Sequence, residues 1–255
     1  MPDLMNKTPA EVHKTTNGFQ FSCVEIDSLE ASEYTLGNIL VDETGSVSGF
    51  EKELEKCIKT AVGACQKSPR SENLLMRVGK FGSHISNSIE EIHGFNLLSN
   101  IDVDNYDGKI NPMGMTPLLD ATLDSIETLE AQAKILVDQE YLCNGIFFVI
   151  TDGGENCSRT ATEAKVKDAF ARIRKEEKLE SIKSILIGVN DTDCKDLLNQ
   201  FKDDCGFDEF ISMGEVTPGK LAKLAHWVSE SVSSTSQALG TGGASQPIAA
   251  PSFSL

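Results

Sequence analysis

The apolar runs Ile39-Leu40-Val41 and Ile146-Phe147-Phe148-Val149-Ile150 have no polar interruption, and both end abruptly in oxygen-bearing side chains. Unbroken runs of this length suit strands buried on both faces of a parallel sheet. Residues 74–81, 182–189 and 207–212 read as further strands. The more polar stretch 89–95 reads as an antiparallel edge strand. Phe19, Phe21 and Cys23 alternate with Gln20 and Ser22, which predicts an edge strand preceding the central one. Between these segments the apolar period changes to 3.6. Phe50, Leu54, Cys57, Ile58, Ala61, Val62 and Cys65 share one helical face behind a candidate cap at Ser48. Leu119, Leu123, Ile126, Leu129, Ala133 and Leu136 share another behind Thr116-Pro117. Helices are also predicted over 161–178 and 193–202. A last one starts at Thr217-Pro218 and carries Leu221, Leu224, Ala225, Val228 and Val232 inward.

This alternation predicts an α/β fold: a doubly wound, mainly parallel central sheet with helices on both faces and one antiparallel edge strand. Residues 1–17 are polar and unpatterned and read as a flexible arm, residues 18–239 as one domain, and residues 240–255 as a disordered tail.

Composition narrows the partners. The chain has 255 residues and a net charge of −16, from 23 basic and 39 acidic residues. Such a balance repels phosphate backbones and anionic lipid, so neither nucleic acid nor a membrane surface is an expected partner. The seven cysteines are scattered, with no C-x-x-C pair, and read as reduced intracellular thiols. The amino terminus lacks the apolar core of a signal peptide and no run approaches membrane-spanning length, so a cytoplasmic location is expected.

The candidate chemistry lies just past the first buried run. Asp42, Thr44 and Ser46 leave one strand end at alternate positions, and the carboxyl ends of strands in open α/β sheets are where ligands sit. A carboxylate with two hydroxyls, without His or Cys close by, suits Mg²⁺ or Mn²⁺ better than Zn²⁺. Ser and Thr in such places also serve as turn and capping residues.

Two later stretches extend the pattern: Met113-Gly114-Met115-Thr116-Pro117-Leu118, and the second buried run ending in Thr151-Asp152-Gly153-Gly154. Together the three resemble, in order, the metal-ion-dependent adhesion site of the von Willebrand factor A domain. That family's D-x-S-x-S, Thr and Asp fall here on Asp42, Thr44, Ser46, Thr116 and Asp152, with Thr44 in place of the usual Ser. The resemblance spans about residues 36 to 235 by element order. It implies that these five residues hold Mg²⁺ (or Mn²⁺, with Ca²⁺ also possible). One coordination position is then left for an Asp or Glu of a protein partner. It further implies a stand-alone, intracellular bacterial adaptor or regulator rather than an enzyme. From the residues alone, Thr116 is either a ligand or a helix cap.

A rival reading is enzymatic. Asp42-Glu43-Thr44-Gly45-Ser46 also resembles the D-K-T-G-T motif of haloacid-dehalogenase-type phosphotransferases, in which Asp42 would be the nucleophile. Glu43 stands where that motif has Lys, adding negative charge where an anionic phosphate must approach. Other motifs fail on spacing. Asp102–Gly108 resembles a calcium loop, but its glycine is one place late and Met113 occupies the twelfth position, so it reads as a solvated acidic loop. Val47 is the middle residue of Gly45–Gly49, so G-x-S-x-G is not met, and neither a GxGxxG nor a Walker A motif occurs. His13, His84, His93 and His226 are far apart, Trp227 reads as packing, and residues 172–178 read as a solvated helix end.

Overall fold

The computed structural model describes residues 11–26, 32–175 and 179–240. A six-stranded sheet forms its centre, built of β3 (Glu33–Asp42), β4 (Leu74–Phe81), β5 (Ile89–Leu97), β6 (Leu142–Thr151), β7 (Ile182–Gly188) and β8 (Glu209–Ser212). Their order across the sheet is β5-β4-β3-β6-β7-β8. All neighbours are parallel except β4 and β5, so the antiparallel edge strand sits where the polar stretch predicted it.

The pleat explains how the sheet is covered. Alternate residues of each strand face opposite ways, and the two sets enter two different cores. Ile39, Val41, Val78, Ile146, Phe148 and Ile150 pack against α1 (Glu51–Cys65) and α5 (Pro218–Gly240). Leu40, Phe147, Val149 and Leu186 pack against α2 (Leu118–Asp138), α3 (Glu163–Lys175) and α4 (Lys195–Cys205). Trp227 meets Phe148 edge-on at 6.0 Å between ring centroids, a packing role.

The amino-terminal segment departs from expectation. Glu11–Lys14 forms β1 and pairs antiparallel with β2 (Gln20–Cys23), making a separate two-stranded sheet. The flexible-arm reading therefore fails for residues 11–17, and β2 is no edge of the main sheet. The physical reason is burial: Phe19, Phe21 and Cys23 sink into the core beside α2, and the Arg77 guanidinium lies 5.8 Å from the Phe19 ring centroid. The next segment is held by a glutamine side chain. Val24 N–H donates to Gln132 Oε1 at 2.9 Å while Gln132 Nε2 donates to Val24 O at 2.8 Å. Residues 1–10, and the tail past Gly240, lie outside the described residues.

Helix starts also differ from the caps read in the sequence. α1 begins at Glu51 without a side-chain cap from Ser48; instead Glu51 Oε2 accepts from Gly49 N–H at 2.7 Å. The acidic loop 102–108 is tied to α1, because Lys59 Nζ lies 2.7 Å from Asp104 and 2.9 Å from Asp107. Arg172 and Arg174 likewise pair with Glu130 and Asp208 rather than only with solvent, and residues 176–178 are not described. Among the described residues no helix is long and apolar enough to cross a membrane.

Candidate functional site

β3 and β6 run side by side and in register, with Val41 opposite Ile150. Their carboxyl ends therefore deliver Asp42 and Asp152 to one place. Asp42 is buried, with Oδ1 accepting from Thr44 N–H at 2.7 Å and Oδ2 accepting from the Thr151 hydroxyl at 2.6 Å. Past Asp42 the chain turns through a single 3₁₀ turn, Gly45–Val47, which folds the next hydroxyls back over the strand end. Thr44 Oγ1 and Ser46 Oγ are 3.0 Å apart, and Ser46 Oγ donates to Asp152 Oδ1 at 2.7 Å.

Thr116 arrives from the start of α2. Pro117 occupies the position before the helix and makes no cap, and the Thr116 hydroxyl forms no hydrogen bond with any described residue. The capping reading of Thr116 is therefore set aside. What caps α2 is the loop after β6: Glu155 Oε2 accepts from Leu119 N–H at 2.7 Å, and Ser158 Oγ from Asp120 N–H at 3.0 Å. A reciprocal pair fixes Thr116 to that loop, with Thr116 N–H donating to Asn156 Oδ1 at 2.9 Å and Asn156 N–H donating to Thr116 O at 3.1 Å. Gly153 marks the space between. A Cβ there would lie 3.6 Å from Thr116 Oγ1 and 4.0 Å from Ser46 Oγ, so the missing side chain leaves a cradle flanked by both hydroxyls.

The electrostatics of the cluster are unbalanced. Burial, with Asp152 nearby, raises the Asp42 carboxyl to about 7 against the hydrogen bonds from Thr151 and Thr44 that lower it. Burial also raises Asp152 despite the bond from Ser46. Among the described residues no Lys, Arg or His pairs with either carboxylate. Nor do three His, Cys, Asp or Glu side chains converge as a metal cluster among them. The donor set here is different in kind: two carboxylates and three hydroxyls, all hard oxygen. Two adjacent ligands at Mg–O distances of about 2.1 Å lie about 3.0 Å apart on an octahedron. The Thr44–Ser46 and Ser46–Asp152 separations of 3.0 and 2.7 Å are close to that edge. The residues thus fit a hard divalent cation, which would neutralise the buried Asp42 and the partly buried Asp152 at once.

Beside Asp42, Glu43 faces away from the cluster. Its carboxylate is buried against Lys80 Nζ at 3.1 Å and His84 Nε2 at 3.0 Å, and it accepts from Asn111 N–H at 3.1 Å. Its backbone ties the rim together, since Glu43 N–H donates to Phe81 O and Met113 N–H donates to Glu43 O. Gly114, at φ +79°, presents its carbonyl to Gly45 N–H at 3.1 Å; a Cβ on it would meet Ser83 Oγ at 2.6 Å.

Sequence reasoning missed Thr151, Glu155, Asn156 and the Glu43–Lys80–His84 group. Thr151 ends the same apolar run as Asp152, and that position was the one available signal.

No protein-family model matches the chain, and no curated protein does. Solved structures do resemble it. The pilus adhesin SpaC of Lactobacillus rhamnosus GG, in its open conformation, aligns with a TM-score of 0.56 at 8% identity, covering 84% of this chain and 31% of that one. Proximal thread matrix protein 1 of the mussel byssus aligns with a TM-score of 0.52 at 15% identity, covering 79% of this chain and 47% of that one. The chain thus spans less than half the length of either protein, and at these identities the likeness is one of fold.

Proposed function

We propose that this chain is a metal-dependent protein-binding module of the von Willebrand factor A type. In this reading Asp42, Thr44, Ser46, Thr116 and Asp152 hold Mg²⁺ or Mn²⁺, with Ca²⁺ as a further candidate. The observation that carries the reading is the convergence of a buried and a partly buried carboxylate, neither paired with a cation among the described residues, with the hydroxyls of Thr44 and Ser46 at neighbouring strand ends and that of Thr116 at the start of α2. A bound cation supplies a Lewis-acidic position there for an incoming carboxylate. The chain's own residues do the rest: Asp42 is oriented by Thr44 N–H and Thr151, and Thr116 by Asn156. The cluster contains no general base paired to a nucleophile, which favours binding over catalysis. The phosphotransfer alternative asks for a cation opposite Asp42; Lys80 instead pairs with Glu43 and with Glu90 at 3.2 Å. Cysteines that are scattered, with no disulfide among the described residues, favour a cytoplasmic adaptor or regulator.

The test is capture of partners from a cell extract in Mg²⁺ and in EDTA, with wild type and Thr116→Ala, followed by acidic-to-amide scanning of what is captured. The reading predicts capture that is lost in EDTA, weakened by Thr116→Ala, and abolished by changing one Asp or Glu of the partner. Capture indifferent to all three contradicts it.

A further inference from the structure

Large apolar side chains left in water are few in this protein, and their placement is not even. Among the described residues six are exposed, and three of these, Met113 (59%), Met115 (56%) and Leu197 (62%), stand around the strand-end cluster. Met113 and Met115 flank Gly114, whose carbonyl is bonded to Gly45 in the loop carrying Thr44 and Ser46. Leu197 comes from α4 on the other side and lies 3.9 Å from the Cβ position of Gly154, two residues past Asp152. By contrast, Val137 and Leu142 lie at the opposite end of the sheet, where α2 ends and β6 begins. Arg159 is exposed on the cluster's side, without an ion pair among the described residues, and lines a cavity with Met115, Asp120 and Cys157.

We infer that Met113, Met115 and Leu197 form an apolar rim selecting a partner segment in which the metal-seeking Asp or Glu is flanked by large apolar residues. This inference rests on the proposed metal-dependent binding and specifies the partner's chemistry. A net charge of −16 opposes a second copy of this chain as the occupant and equally opposes a phosphate-bearing one. A short peptide segment of another protein can instead place one carboxylate on the cation and its neighbouring side chains on the rim. Methionine suits such a surface because its unbranched chain adapts to varied apolar partners. Each apolar side chain buried there is worth about tenfold or more in affinity.

Two peptides test this, acetyl-Gly-Phe-Asp-Leu-Gly-amide and acetyl-Gly-Ser-Asp-Ser-Gly-amide, titrated in Mg²⁺ against the full chain. The chain is used as wild type, as Leu197→Ser, and as the combined Met113→Ser, Met115→Ser, Leu197→Ser variant. Mg²⁺ affinity is measured separately on each. The inference predicts that wild type prefers the Phe-Asp-Leu peptide by about tenfold or more. Leu197→Ser reduces the preference, the combined variant removes it, and Mg²⁺ affinity stays unchanged in both. Equal affinity for the two peptides, no binding of either, or a preference that survives the combined variant overturns the inference. Loss of Mg²⁺ binding in wild type would instead indict the metal site itself. Self-association of wild type that the combined variant abolishes would assign the rim to a second copy and overturn the inference too.

Discussion

Asp42 carries the sharpest prediction at the scale of single residues. Its folded pKa of about 7 stands above the ordinary 3.8, so the metal-free fold holds this proton more tightly than the unfolded chain does. The sign follows from linkage: the contribution is fully present below about pH 4 and is lost as the pH rises through about 7. Metal-free protein should therefore lose stability across that window, and Asp152, raised in the same direction, adds to the loss. A cation competes with the proton, so Mg²⁺ affinity should climb with pH up to about 7 and then level off. Urea unfolding in EDTA at several pH values, with Asp42→Asn as control, checks this; a slope that is the same in the variant argues against it. Asp42, Thr44 and Ser46 are legible in the sequence because they are near neighbours at one strand end. Thr151 and Asn156 are not, since each acts on a residue far away in the chain, 109 positions for Thr151–Asp42 and 40 for Asn156–Thr116.

At the scale of elements, the start of α2 and the loop after β6 behave as one piece. Glu155 accepts from Leu119 N–H, Cys157 N–H, Ser158 N–H and the Ser158 hydroxyl. Replacing it by Ala leaves these donors without their acceptor and should cost about 1–3 kcal/mol of stability in urea denaturation. Mg²⁺ affinity should fall with it, because Thr116 and Asp152 flank that joint; unchanged stability would mean water replaces the carboxylate without loss. Local sequence offers a cap at Ser48 and either a cap or a ligand at Thr116, whereas α1 starts with Glu51 accepting from Gly49 N–H and the cap of α2 comes from the loop after β6. The hairpin was missed for a related reason. Glu11–Lys14 has no apolar run of its own and becomes a strand only by pairing with β2. Phe19 is nearly fully buried beneath that pairing, so Phe19→Ala should destabilise by about 3 kcal/mol in the same measurement. A negligible effect would restore the view of this segment as a loose appendage.

For the whole molecule, the succession of strands and helices, the mainly parallel sheet and its antiparallel edge follow from apolar periodicity, whereas the strand order in the sheet and the division of helices between its faces appear only in the fold. The site was legible only where periodicity stopped: two buried runs that end in carboxylates must end together when their strands are neighbours. Placing Thr116 with them needed a resemblance, because a threonine before a proline reads equally well as an ordinary helix start. On the proposed reading a strongly acidic chain takes positive charge at this cluster, and the decisive experiment is direct. Mg²⁺ or Mn²⁺ is titrated by calorimetry into EDTA-treated protein at about pH 8, where Asp42 is ionised, alongside Asp42→Ala with its circular dichroism recorded. The account predicts one saturable site in wild type and none in a still-folded Asp42→Ala. Undiminished binding in the variant would contradict it.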